Sequence, residues 1–282
     1  MNIEVNGHTL YAYTGGKPFN PAQPTAVFVH GVLNDHSIWI LQSRWLAHHG
    51  WNVLAIDQPG HGRSSGAAPK SVADASAAVL AMLDALGVQQ AALAGHSFGS
   101  LIALHTAAHL SKTAPERISH LIMVGTAFPM RVSPALLDAS LNQPEKAIAM
   151  VNVFSHSTLA PPPSALGPGS WLYGGSQALM RRVLASNAAE NVFHTGFVAC
   201  DSYANGEADM AKVTCPVQFI LGERDQMTPP KAAQSLVKAA RAAGLTVEVA
   251  TVPAGHQLMT EAPEETLAAL RRALTLPVPA PH

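Results

Sequence analysis

The segment Gly95-His96-Ser97-Phe98-Gly99 sets a serine between two glycines, after a short apolar run and before a helical stretch at Leu101 to Leu110. A strand that turns directly into a helix forces its middle residue into strained backbone, and flanking side chains would collide with it. Glycines at 95 and 99 remove that collision, so the pattern predicts a serine hydroxyl lifted above a sheet edge at a helix N-terminus. There the following amide, that of Phe98, can stabilise a developing negative oxygen. The chemistry implied is nucleophilic attack on a carbonyl.

A serine hydroxyl is a weak nucleophile near neutral pH and needs a base, itself oriented by an acid. On a strand–turn–helix scaffold of this kind the acid and then the histidine follow the serine along the chain, in loops after late strands. Asp225 stands in Leu221-Gly222-Glu223-Arg224-Asp225, after the apolar run 215–221, and His256 in Pro253-Ala254-Gly255-His256, after the run 246–252. Other carboxylates fit less well. Asp57 precedes the serine, Asp201 sits in a helical stretch, and Glu223 is two residues displaced. The loop Gly125-Thr126-Ala127-Phe128 holds no carboxylate. Upstream, His30-Gly31-Val32-Leu33 ends a strand with a glycine that lets the backbone swing toward the serine, so the amides of Val32 and Phe98 would form an oxyanion hole. His30 is expected to hydrogen-bond structurally rather than to move protons.

Two further patterns imitate sites but lack a part. His105 and His109 have the i,i+4 spacing of a zinc helix, yet position 106 is Thr where a general-base Glu would stand. Gly60-His61-Gly62 with Gly66 approximates a dinucleotide loop, yet its last glycine is one residue late and position 80 is Leu. Packing and turn geometry explain both. No metal or cofactor is expected.

The elements that must position these residues alternate between strand and helix, which predicts a parallel sheet. Ile3 to Val5 and Leu10 to Tyr13 read as a hairpin through Asn6-Gly7. Ala26 to His30, Asn52 to Ile56, Ala91 to Ala94, and the runs 118–124, 215–221 and 246–252 are strands. Helices are expected at 37–49, 71–86 with Ser71 as N-cap, 230–243 and 263–274. Ala91 to Ala94 has poor strand propensity and is read as a strand because of the elbow that follows it. Residues 127–211 break the alternation, with helical pieces near 134–140, 144–154, 176–187 and 188–204. A loop containing Pro161-Pro162-Pro163 and Gly167-Pro168-Gly169 lies among them. An irregular insertion of this kind is read as a lid over a binding site. The terminal PVPAPH is read as a tail with no core role.

The chain's 282 residues are 48% hydrophobic and only 12% charged, which excludes intrinsic disorder. Seventeen Lys and Arg against 18 Asp and Glu leave no basic field for nucleic acid. No apolar stretch approaches the ~18 residues of a membrane span. The N-terminus lacks the pattern of a secretory leader, and Cys200 and Cys215 form no CxxC. A cytoplasmic enzyme acting as a monomer or homodimer is therefore expected.

The succession HGVLN, DQPGHGRS, GHSFG, GERDQMTP and AGHQLMTEAP resembles the α/β-hydrolase superfamily in order and spacing over essentially the whole chain. That resemblance implies a mostly parallel eight-stranded sheet with helices on both faces. Residues 1–126 and 212–282 would form the core and 127–211 an inserted helical cap. It implies Ser97 as nucleophile, Asp225 as acid, His256 as base, and the Val32 and Phe98 amides as oxyanion donors. The chain looks most like the capped esterases, enol-lactonases, cofactor-free haloperoxidases and C–C bond hydrolases. Its glycine-poor HGVLN departs from the HGGG loop of hormone-sensitive-lipase-type esterases, and a serine at 97 argues against dehalogenases and epoxide hydrolases. The expected reaction is cleavage of a small-to-medium, largely apolar carboxylic ester or lactone through an acyl-enzyme on Ser97. A C–C bond hydrolase or an acyltransferase or perhydrolase would use the same triad, and a ligand-binding receptor on this scaffold would leave it idle. Leu33, Phe154, Trp171 and Phe197 are expected to line the substrate pocket. Met150, Tyr173 and Phe193 share the helical spacing and serve equally well as the insertion's own core.

Overall fold

Every residue of the strands Thr25–Val29, Asn52–Ile56, Ala91–His96, Ile118–Val124 and Val217–Gly222 is buried, as continuous apolar runs covered on both faces require. With Asn2–Val5 and His8–Tyr13 before them and Val247–Val252 after, they are β1 to β8 in chain order. They join in one sheet, β1-β2-β4-β3-β5-β6-β7-β8. Only the β1–β2 and β2–β4 pairings are antiparallel. The computed structural model describes residues 1–157 and 171–278, so the proline- and glycine-rich loop at 161–169 and the last four residues of the tail lie outside the described residues.

The β1–β2 turn places Asn6 at φ +50° and Gly7 at φ +78°, the two left-handed residues that a tight hairpin needs. Pleating then sorts the strands onto two faces. Val27, Val29, Leu54, Ile56, Leu93, Leu121, Met123, Phe219 and Leu221 pack under α2 (Val72–Ala85), α3 (Phe98–Leu110) and α9 (Gln234–Ala242). Ala26, Phe28, Val53, Ala55, Ala94, Ile122, Val124 and Ile220 face α1 (Ile40–Ala47), α10 (Leu258–Glu261) and α11 (Pro263–Ala273). The alanines of β5 suit this position, because helices on both sides come close to the strand.

Several boundaries move for local reasons. The helix expected at 37–49 begins as a 3₁₀ turn, His36–Trp39, capped by Asp35, before α1. The run 215–221 enters the sheet at Val217, since Pro216 has no N–H for the ladder. Ser71 caps α2 by accepting from the Asp74 amide. The helix expected at 230–243 opens with a 3₁₀ turn, Pro230–Ala233.

Between β6 and β7 the chain forms α4 (Pro134–Asn142), α5 (Pro144–Ser155), α6 (Leu172–Ala185), α7 (Val192–Asp201) and α8 (Gly206–Met210). The first four share a separate apolar cluster that includes Leu136, Ile148, Met180, Val183, Phe193 and Phe197, joined from the core by Leu33 and Ala68. Met210 and Cys200 instead pack into the sheet's own cluster. Among the described residues no helix is long and apolar enough to cross a membrane.

Phe193 is fully buried in that cluster with its ring 5.0 Å from Phe197. Phe193→Ala is expected to cost about 3–5 kcal/mol, the range for deleting a buried aromatic ring. Urea unfolding of wild type and variant checks this, and a loss below about 1 kcal/mol would mean that the insertion's cluster contributes little.

Candidate active site

Ser97 has φ +52° and is one of three non-glycine residues with positive φ among the described residues, the others being Asn6 and Leu33. A Cβ on Gly95 would lie 2.0 Å from the Gly99 carbonyl oxygen, and one on Gly99 2.3 Å from the Val29 carbonyl oxygen. Backbone therefore touches backbone on both sides of the serine. The Ser97 carbonyl accepts from the Ser100 amide at 2.8 Å and the Ser100 hydroxyl at 2.6 Å, which starts α3. Phe98 is the first residue of that helix, so its amide has no intrahelical acceptor.

His256 is held on three sides. His256 donates from Nδ1 to Asp225 Oδ2 at 2.8 Å. Its amide donates to the Ser155 carbonyl at 2.8 Å, and its carbonyl accepts from His96 Nε2 at 2.8 Å. Asp225 in turn accepts at Oδ1 from the amides of Met227 and Thr228, and at Oδ2 from the Thr228 hydroxyl. Burial alone would raise the Asp225 carboxyl. The charge and hydrogen bond of His256 and the two bonds from Thr228 outweigh it and bring the carboxyl down to about 2.

His30 organises the turn at Gly31 and Val32. Its Nε2 accepts from the Gln58 amide at 3.1 Å, so Nδ1 carries the proton and donates to the Gly31 carbonyl at 2.8 Å. That carbonyl belongs to the same peptide plane as the Val32 N–H, and Asn34 Nδ2 holds the next carbonyl, Val32's, at 3.0 Å. Burial keeps His30 below its ordinary pKa, so it serves as a neutral bracket. Leu33 at φ +53° completes the turn.

Ser97, His256 and Val32 line one cavity of about 250 Å³ with Met130, Val132, Leu136, Met150, Phe154, Phe197, Cys200 and Met227, while Arg131, Ser133, Gln226 and Thr228 add polar groups. The serine hydroxyl and His256 Nε2 make no hydrogen bond to each other, a looseness common before substrate draws such pairs together. Of the expected pocket residues, Phe154 and Phe197 face this cavity. Leu33 does not, because its left-handed backbone turns the side chain into the insertion's cluster, fully buried. Trp171 lines a different hollow, beside Arg182 and Gln257, and stacks on Tyr173. The Phe98 side chain packs into the core. Thr228 and His96 were not foreseen. Thr228 carries a legible signal, since an aspartate three residues before a threonine in a turn is a common side-chain-to-amide motif.

Two other features are accounted for locally. Asp35, His36 and Asp57 bring ligand-type atoms within 4.8 Å of one another. Asp57 already accepts from the His36 amide, His36 Nδ1 and the Arg63 amide, and Asp35 from Ser37 and Arg182, so the carboxylates clasp two loops. A larger hollow of about 440 Å³ lies at the opposite ends of the strands, near Thr25 and Gln90, and no carboxylate lines it.

A family model described as "Alpha/beta hydrolase family" matches residues 26–270. In sequence the chain is 26% identical over 274 residues to a protein titled putative carbamate hydrolase RutD from Cronobacter turicensis, covering 94% of this chain and 96% of that one. It is 33% identical over 132 residues to lipase LipV of Mycobacterium tuberculosis, covering 45% of this chain and 48% of the lipase. Several curated relatives are matched over only 30–48% of their own length. In structure it superposes on an esterase from Exiguobacterium antarcticum with a TM-score of 0.78 at 17% identity, covering 96% and 97% of the two chains.

The low Asp225 pKa links the site to stability. The folded carboxyl lies near 2 against an ordinary 3.8, so its stabilisation is complete above about pH 4 and is lost as pH falls toward 2. The difference amounts to about 2 kcal/mol. Asp209, likewise depressed to about 2, acts in the same window in wild type and variant alike. Chemical unfolding from pH 5 to 2 should show wild type losing about 2 kcal/mol more than Asp225→Asn, and parallel curves would contradict this account.

Proposed function

The chain belongs to the alpha/beta hydrolase family, and from that premise we propose that it is a serine hydrolase of small, largely apolar carboxylic esters or lactones. The observation that carries the reading is a strained serine at a helix N-terminus, sharing one apolar cavity with a histidine bonded to a buried aspartate. In this mechanism His256 takes the Ser97 proton as the hydroxyl attacks the carbonyl carbon, and the amides of Val32 and Phe98 receive the oxyanion. His256 then protonates the leaving oxygen, Asp225 stabilises the imidazolium, and water activated by His256 releases the acid from the acyl-serine. The insertion 127–211 serves as the cap that supplies most of the apolar lining. The similarity to a protein titled putative carbamate hydrolase supports carbamates as a second acyl class for the same triad, since a carbamate ester carries nitrogen on the carbonyl carbon and loses the same alkoxide.

A cavity near 250 Å³ falls below the ~300–1,000 Å³ of sites for drug-sized ligands, which favours short acyl chains. Steady-state hydrolysis of p-nitrophenyl esters from acetyl to decanoyl, wild type beside Ser97→Ala, tests the proposal. Activity should be highest between acetyl and hexanoyl and fall at least about a thousandfold in the variant. Full turnover by Ser97→Ala would sink it.

A further inference from the structure

His96 ends β5 on the sheet face opposite α3, where Ala94 precedes it two residues earlier, and its side chain is buried. Its Nε2 lies 2.8 Å from the His256 carbonyl oxygen. An oxygen acceptor requires a proton on Nε2, so in the neutral ring Nδ1 holds a bare lone pair. Nδ1 has no hydrogen-bond partner and packs against Gly31, where a Cβ would stand 3.2 Å from it. The ring centroid is 4.7 Å from that of His256, and Trp39 closes the far side edge-on at 6.4 Å. His96 thus touches three parts of the site at once: the elbow that carries Ser97, the oxyanion turn at Gly31 and the loop that carries His256.

We propose that His96 is a positioning residue, which sets the height of the His256 ring over Ser97 through its main chain while remaining uncharged beside it. This rests on the serine-hydrolase reading above. A donor to the His256 carbonyl is needed because that oxygen is otherwise buried without a partner, and an unmade buried hydrogen bond would let the loop shift. Neutrality is needed because His256 becomes an imidazolium during acyl transfer, and a second cation 4.7 Å away would oppose it. Burial first, and the His256 charge second, keep His96 down at about 3, so it stays neutral near neutral pH. The groups facing it are few: His256 and, through it, Asp225 from the late loops, and His30 just after β3, itself neutral. The acid limb of the wild type should therefore follow a single ionisation.

The test compares His96→Phe, which keeps a flat ring and loses the donor, with His96→Gln, whose amide nitrogen reaches the place of Nε2. The readout is the second-order rate at which a fluorophosphonate labels Ser97 between pH 5 and 9, which needs no knowledge of the natural substrate. Far-UV circular dichroism and melting serve as folding controls. His96→Phe is expected to label ten- to a hundredfold more slowly with a displaced acid limb, and His96→Gln to recover most of the rate. A folded His96→Phe that labels at the wild-type rate with the wild-type pH profile overturns the proposal and leaves the triad standing. A wild type that takes no label on Ser97 overturns the serine reading, and the positioning role with it. If the phenylalanine variant fails to fold, His96→Leu makes the same comparison against His96→Gln.

Discussion

Between β5, α3 and β3 there is no room for a single carbon beyond the backbone. The clashes that a Cβ would meet at Gly95 and Gly99 are with main-chain atoms, which cannot rotate aside as a flexible side chain would. This contact forces the turn at Ser97 into a conformation that costs on the order of 1–3 kcal/mol for a residue with a side chain. The cost is offset because α3 is buried along nearly its whole length, from Phe98 to Leu110. Strain at the serine and burial of the helix behind it are thus one arrangement. The helix N-terminus, its free amide and the raised hydroxyl all follow from where the glycines let the backbones meet.

A chain with few charges has placed several of them inside. Asp35, Asp57, Asp209 and Asp225 are all buried, and each accepts at least three hydrogen bonds from nearby donors. The buried histidines follow the opposite rule. His30, His61 and His96 are kept neutral by burial, His61 at about 4 and His96 at about 3. A neutral imidazole offers one donor and one acceptor on a rigid ring, so it can join two loops without adding charge. His30 does this between Gln58 and the oxyanion turn. His256 differs from these three in having a carboxylate at Nδ1, an arrangement it shares with the less buried His36 and His105, which face Asp57 and Asp209.

The strained turn at Ser97 and the placing of Asp225 and His256 in loops after late strands were legible in the sequence because each is defined by local backbone needs: glycines at a steric pinch, or a loop directly after an apolar run. The two-face pleating and the Asn6-Gly7 hairpin were legible for the same reason. What stayed hidden depends on direction in space. Helical spacing marked Phe154, Trp171 and Phe197 alike as apolar, yet only the first and last turn toward the serine. Leu33 stands beside the oxyanion turn in the chain, but a positive φ at a leucine is not written in its side-chain type. The bond from His96 to His256 spans 160 positions, and nothing local to either residue announces it.

The insertion is bonded to the site more closely than a loosely hinged lid would be. The last carbonyl of α5, at Ser155, accepts the His256 amide, and Glu261 at the end of α10 accepts from both the Ser157 and Gly255 amides. At the far end, Arg182 of α6 reaches Asp35, Ser186 accepts from the Gly62 amide, and Glu190 from the Ala68 amide. Gly196 of α7 rests against the Val32 side chain, where even a Cβ would come within 3.2 Å. The same helices that line the pocket therefore also bear on His256 and on the turn at Val32. Changes that enlarge the pocket by moving α5 or α7 must shift His256 or Val32 with them, whereas trimming Met150 or Phe154 in place need not. The routes by which such a site can change its substrate are accordingly side-chain exchanges on a fixed backbone.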